Sequence, residues 1–332
     1  MTRGIAVVTG GSAGLGRAIS RELAKRGWDV AILARGEDGL AATASEVEAL
    51  GHRAFTLSTD VADRAAVEAA ADRIEAEFGP IDLWVNNAMA GVFGEFLSTD
   101  PDDFERATAV NYFGFVNGTR AALSRMVPRD SGQVIQVGSA LAHRGIPLQA
   151  AYCGAKHAIT GFTESVTTEL LHNKSRVRVS QVDMPALNTI QFNWVKSQLP
   201  HHPMPVAPIF QPEVGARAVA DVAEKPRSRT WVGESTFATI LGNRFGARIL
   251  DRYLAKTAYD GQQDASKTEP MLATNLYEPT AGDHGAHGIF DAEARSTSPA
   301  VWAIENRPLA TGLAALAGVA AASLVVGLLR RR

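Results

Sequence analysis

The chain reads as an α/β protein built on a doubly wound parallel sheet of the Rossmann type, with about seven strands, helices on both faces, and a C-terminal arm and apolar helix beyond it. Three observations predict this. Short β-branched apolar runs alternate with helix-length segments from residue 4 to 235, the pattern of parallel strands joined by crossovers. The first run leads straight into a Gly-rich turn and a helix start. Gly10, Asp60, Asn86, Ser139 and Pro185 all fall at predicted carboxyl ends of strands, where ligands of such sheets bind.

The first strand is Gly4 to Thr9. It enters Gly10-Gly11-Ser12-Ala13-Gly14-Leu15-Gly16, and then a helix with apolar Ala18, Ile19, Leu23 and Ala24. Backbone N–H groups of such a turn and helix start face a pyrophosphate, and glycine lets the backbone come close. Gly10, Ser12, Gly14, Leu15 and Gly16 are therefore candidate cofactor-binding residues. Their spacing, Thr-Gly-x-x-x-Gly-x-Gly, departs from Gly-x-Gly-x-x-Gly, and a purely structural turn is the alternative. The second strand is Asp29 to Ala34. A site for NAD would usually end this strand in an acid that holds the ribose 2′-hydroxyl. Arg35 stands there instead, and a guanidinium suits a 2′-phosphate. NADP is the preferred cofactor on this reading and NAD the other candidate. Glu37 and Asp38 lie close by, Ala13 offers no second cation, and an ordinary surface charge is the competing reading of Arg35.

The third strand is Arg53 to Ser58, with Asp60-Val61 just beyond it and a helix over Ala65 to Phe78. Ile81 to Asn86 is the fourth strand and runs into Asn87-Ala88-Met89. Pro101 to Met126 reads as one long helix containing Asn111. Val134 to Val137 is the fifth strand, Ala151 to Leu171 the central helix, and Val177 to Val182 the sixth strand. Pro212 to Glu224 is a helix with Pro at its start, and Thr230 to Val232 a last edge strand. On the central helix Tyr152 and Lys156 are four residues apart, so both side chains share one face. A free tyrosine has a pKa of about 10, and a fixed positive charge beside it favours phenolate. Such a pair can give a proton to a carbonyl or take one from an alcohol.

Taken together, Thr9-Gly10-x-x-x-Gly14-x-Gly16, Asp60-Val61, Asn86-Asn87-Ala88, Asn111, Ser139, Tyr152-x-x-x-Lys156, and Pro185 with Thr189 resemble the short-chain dehydrogenase/reductase family over residues 4 to 235. The resemblance implies Tyr152 as general acid in reduction and general base in oxidation. Lys156 would lower the Tyr152 pKa and hydrogen-bond the nicotinamide ribose, and Ser139 would donate to the substrate oxygen. Asn111 would kink or hold its helix and anchor a proton-relaying water. Asn87 would line the cofactor cleft, Asp60 with Val61 would meet the adenine, and Thr189 beside Pro185 would contact the nicotinamide carboxamide. The alternative for Asp60 is an N-cap of the helix that begins at Ala62. Two positions depart from the family pattern: Met89 replaces Gly after Asn-Asn-Ala, and Ala186 replaces Gly after Pro185. The family further implies a mobile lid over the substrate in residues 187 to 211. Phe192, Trp194, Val195 and Leu199 there suit a fairly large apolar substrate, and a core-packing helix is the competing reading.

The catalytic domain thus spans 1–235, followed by an additional amphipathic helix over 236–256, a polar extended arm over 257–308, and an uncharged stretch, 309–329, that ends in Arg330-Arg331-Arg332. At about 1.5 Å per residue that stretch could cross a bilayer core of roughly 30 Å, and a membrane anchor is expected over a helix docked on a partner or in the lipid interface. The rest of the chain is expected in the cytoplasm. The start of the sequence leaves no room for a signal peptide, and the single Cys153 allows no intrachain disulfide. A net charge of −2 offers no basic surplus for nucleic acid, and the eight His show no ligand spacing, so no metal site is expected. The function expected is an NAD(P)-dependent oxidoreductase interconverting a ketone or aldehyde and an alcohol on an apolar small-molecule substrate, with a homo-oligomer implied by the resemblance. The competing class is a membrane-anchored dinucleotide-binding scaffold or sensor without turnover. A sugar-nucleotide epimerase is disfavoured by the Gly loop.

Overall fold

The computed structural model describes residues 2–306; the stretch 309–329 lies outside the described residues. Among the described residues no helix is long and apolar enough to cross a membrane. A seven-stranded parallel sheet forms the centre. Its strands are β1 (Ile5–Thr9), β2 (Asp29–Ala34), β3 (Ala54–Ser58), β4 (Ile81–Asn86), β5 (Gln133–Ser139), β6 (Arg178–Met184) and β7 (Arg229–Trp231). The spatial order is β7-β6-β5-β4-β1-β2-β3, so the chain starts in mid-sheet, winds out to β3, and crosses back over β1 to build the other half. That reversal leaves a crevice between β1 and β4, at the carboxyl ends of both strands. The inner strands carry apolar residues on both faces because helices cover both. Two separate clusters result, one around Val8, Ile19, Ile32 and Val219, the other around Val7, Leu33, Trp84 and Ile74.

The crossover helices are α1 (Gly14–Lys25), α2 (Glu37–Ala49), α3 (Arg64–Glu77), the pair α4 (Pro101–Thr108) and α5 (Gly114–Met126), α6 (Ala150–His172) and α7 (Pro212–Glu224). Glu37 and Asp38 occupy the first turn of α2, where carboxylates favour the positive end of the helix. α3 is capped by Asp63, whose carboxylate accepts from the N–H groups of Ala65 and Ala66. Asp60 is therefore not the cap. It accepts from Ala62 N–H in the turn before the helix and pairs with Arg106 at 2.6 Å. The stretch 101–126, expected as one helix, is broken by a wider π turn over Ala109–Phe113. This turn carries Asn111, whose side chain reaches out of the helix and bonds the backbone of Ala90.

After β6 the segment 187–211 is neither a free lid nor a core helix. Only Gln191–Trp194 is helical. Short ladders tie the rest down: Lys196–Ser197 to Val92–Phe93, His202–Pro203 to Gln263–Asp264, and Ile209–Phe210 to Ala294–Arg295. Beyond β7 runs α8 (Glu234–Thr257), bent where Gly246 leaves helical dihedrals, and the arm then returns across the sheet's carboxyl edge to α9 (Pro299–Glu305). Two apolar residues of the arm serve as anchors: Leu276 and Phe290 are fully buried.

Candidate active site

One cavity of about 600 Å³ opens along the carboxyl ends of the strands. Gly10, Ser12, Gly14, Leu15, Gly16, Arg35, Asp60, Val61, Asn87, Ser139, Tyr152, Lys156, Pro185 and Thr189 all line it. Asn111 does not. It sits behind the wall, fully buried, with its carbonyl accepting from Ala90 N–H at 3.1 Å and its amide donating to Ala90 O at 2.6 Å. It therefore holds the loop that follows Asn87-Ala88-Met89.

At one end β5 delivers Ser139 and α6 delivers Tyr152 and Lys156. The Ser139 hydroxyl oxygen accepts from Leu141 N–H at 3.1 Å, and Tyr152 lines the same end of the cavity. Lys156 is almost fully buried and donates to Val137 O at 2.8 Å, with its ammonium 4.4 Å from the centre of the Phe115 ring and 5.5 Å from that of Tyr152. The spacing of the pair led to the expectation that the ammonium would lower the phenol. Burial pushes the Tyr152 phenol up to about 12, against a lowering contribution from the Ser139 hydrogen bond. Burial likewise pushes Lys156 down to about 7, opposed by the charge of Asp183. Removing each group from water favours its neutral form.

Two neighbours had escaped the sequence reading. Asp183, in the interior of β6, has no solvent exposure; it accepts from Gln181 Nε2 at 2.7 Å and sits 2.8 Å from His143 Nε2. A side chain at Gly138 would collide with the Asp183 carboxylate. A lone acid inside a strand and a histidine in a loop carry no motif, so the pairing is visible only in three dimensions.

The other end is built for an anion followed by a polar ring system. Helix α1 opens on Ala13, which cannot cap it, so the amides of its first turn lie along the cavity with no side-chain acceptor. A Cβ at Gly16 would strike both the Gly10 carbonyl and the Asn87 amide. Asn87 donates to Thr9 O at 3.0 Å and to Gly10 O at 3.3 Å, which locks the end of β4 to the glycine loop. A phosphate held by backbone amides fits this cradle, where the Gly14 N–H donates to the Gly285 carbonyl. Arg35 and the Asp60–Arg106 pair lie farther along, as does the arm: Arg35 donates to the carbonyls of Asn275 and Tyr277, the latter at 2.6 Å. The wall beyond Tyr152 is apolar, formed by Phe93, Phe192, Val195, Met204, Leu250 and Leu254.

The family model of the short chain dehydrogenases matches residues 4–198. The chain is 31% identical over 282 residues to the uncharacterized oxidoreductase YxnA of Bacillus subtilis, covering 84% of this chain and 79% of that one. It is 30% identical over 251 residues to the putative oxidoreductase SadH of Mycobacterium tuberculosis, covering 73% and 91%. Among solved structures it is similar to an alcohol dehydrogenase from the archaeon Thermococcus sibiricus complexed with 5-hydroxy-NADP, at 27% identity and a TM-score of 0.59, covering 69% and 94%.

Proposed function

The chain belongs to the short-chain dehydrogenase/reductase family and is an NAD(P)-dependent oxidoreductase, and from that premise we propose that it interconverts an apolar ketone or aldehyde and the corresponding alcohol, with Tyr152 as general acid/base. The observation that carries this reading is the joint placement of Ser139, Tyr152 and Lys156 at one end of a cavity whose other end is the uncapped start of α1. The bound dinucleotide supplies or accepts the hydride. The glycine-loop amides hold its diphosphate, Asp60 and Val61 its adenine, and Lys156, Pro185 and Thr189 line the nicotinamide end. The Ser139 oxygen accepts from Leu141 N–H, and its own hydrogen remains available to donate to a substrate oxygen as charge develops there. Tyr152, held protonated by burial, delivers the proton to that oxygen in reduction and recovers it in oxidation. Asn111 keeps the neighbouring loop in place through Ala90.

NADP is the form favoured. β2 ends in Ala34-Arg35 with no acid at the strand end, and the nearby Asp38 is occupied by Gly282 N–H at 2.9 Å. The Arg35 Nε carries no partner among the described residues and is open to a 2′-phosphate. The walls set by Phe93, Phe192 and Leu254 favour a substrate with a large apolar body.

The test is Tyr152→Phe in the full chain, assayed on a panel of apolar ketones, with NADPH and NADH titrated side by side against tryptophan fluorescence. Turnover should fall by about a thousandfold or more while cofactor binding is kept, because only the proton donor is lost. A variant as active as the parent would remove Tyr152 from the mechanism, and tighter NADH binding would remove the NADP reading.

A further inference from the structure

The arm does not merely pass the adenosine end of the cavity; it is fastened across it. Between residues 275 and 285 it meets the carboxyl ends of β1, β2 and β3 in turn. Arg35 donates to the carbonyls of Asn275 and Tyr277, and Arg106 to that of Leu276 at 3.0 Å while holding Asp60. Gly282 N–H donates to the Asp38 carboxylate, Asp283 pairs with Arg17, and the Gly285 carbonyl accepts from Gly14 N–H at 3.0 Å. Asn275, Pro279, Thr280 and Gly282 of this span line the cavity together with the glycine loop and Arg35. The segment is thus a wall of the cavity and not a plug within it.

We propose that residues 275–285 belong to the dinucleotide site as a strap that closes over the adenosine half of the bound cofactor and must leave its arginine anchors for the cofactor to enter or depart. The inference rests on the dinucleotide reading of the cleft. The physical case is the kind of attachment. Within the span only Leu276 is buried; the rest is held by backbone groups and by one ion pair, between the exposed Asp283 and the buried Arg17, with no helix or ladder of its own. Such a segment can detach as a unit without opening the sheet below it. A dinucleotide lying along the glycine loop toward Arg35 would be crossed by it, so strap detachment would set the pace of exchange.

The geometry offers a direct lock. A Cβ at Gly36 would lie 3.6 Å from the Cβ of Pro279, inside the disulfide range of roughly 3.5–4.5 Å, and Gly36 has an ordinary φ of −82°. The native Cys153 is buried and stands apart. The experiment is Gly36→Cys with Pro279→Cys in the full chain, with NADPH and NADH association and dissociation followed by stopped-flow fluorescence, reduced and oxidised. Oxidised after loading, the protein should release cofactor slower by about tenfold or more; oxidised before loading, it should admit cofactor slower by a similar factor, and dithiothreitol should restore both. Equal rates in the two states, with the cross-link verified by mass, would overturn the strap while leaving the site reading intact. Failure of the reduced variant and the parent chain alike to bind either nucleotide would overturn both. Should the cross-link not form, Asp283→Ala removes one anchor: release several-fold faster supports the strap, and an unchanged rate overturns it.

Discussion

At the Tyr152 end of the cavity the walls that carry polar chemistry are strand ends and helices of the central sheet; at the Arg35 end one wall is an arm attached through its own backbone. The first end is specified by side chains: Ser139 on β5, Tyr152 and Lys156 on α6, Asn111 in its π turn. The second is specified by carbonyl oxygens at 275–277 that any residue could supply, and by the cations that collect them. The contrast separates two tasks. Proton transfer needs named chemical groups held rigidly, so it is placed where the sheet is buried on both faces. Enclosing a ligand needs reach and the ability to let go, so it is left to a segment with one buried side chain.

The comparison can be broken at its weakest joint first. Leu276→Ala removes the one apolar anchor between residues 263 and 285 and should cost about 2–5 kcal/mol locally. If arm and sheet are separate in energy, limited proteolysis should cut the arm far faster while the melting of the sheet hardly moves. A fall in core melting temperature of matching size would mean that the two regions unfold as one. Next in size is a pH effect at the other end. With Lys156 held down to about 7, its charge is present below that pH and lost above it. If the charged form is needed, kcat/KM for the reduced dinucleotide should fall by about tenfold per pH unit above this value, and Lys156→Arg should remove that alkaline limb. A flat profile in the parent would show that neutral Lys156 suffices. The smallest expected effect lies in the framework alone. Asp63→Ala deletes the α3 cap and should lower stability to urea by about 1 kcal/mol with cofactor affinity unchanged, since Asp60 and not Asp63 faces the cleft.

The strands of the sheet were legible because each is a short apolar run bounded by turn residues; β2 and β4 fall where the periodicity puts them. Asp60, Asn87 and Ser139, which line the cavity, were legible as polar positions at the ends of those runs, and Tyr152 with Lys156 by their spacing on one helix. The π turn at Asn111 was not, because an inserted residue leaves the helical pattern nearly unchanged on either side. The cap of α3 was not legible, since Asp60 and Asp63 both precede the helix and only backbone geometry decides which reaches its amides. Asp183 and His143 meet across forty positions of sequence with nothing local to announce them. The arm was hardest to read. Its contacts with Arg35 and Arg106 are made by peptide carbonyls, which every composition contains.

Ala13 at the head of α1 leaves that helix without a side-chain cap for its opening amides, one of which, the Gly14 N–H, donates to the Gly285 carbonyl of the arm. The dinucleotide is then a missing piece of secondary structure as well as a reactant, and its binding free energy is partly folding free energy. A ligand at a hundred times its dissociation constant adds about 2.7 kcal/mol to the folded state. The standing amount of folded enzyme would accordingly track the cell's supply of nicotinamide nucleotide, so that scarcity of the cofactor thins the population of the protein as well as slowing its turnover.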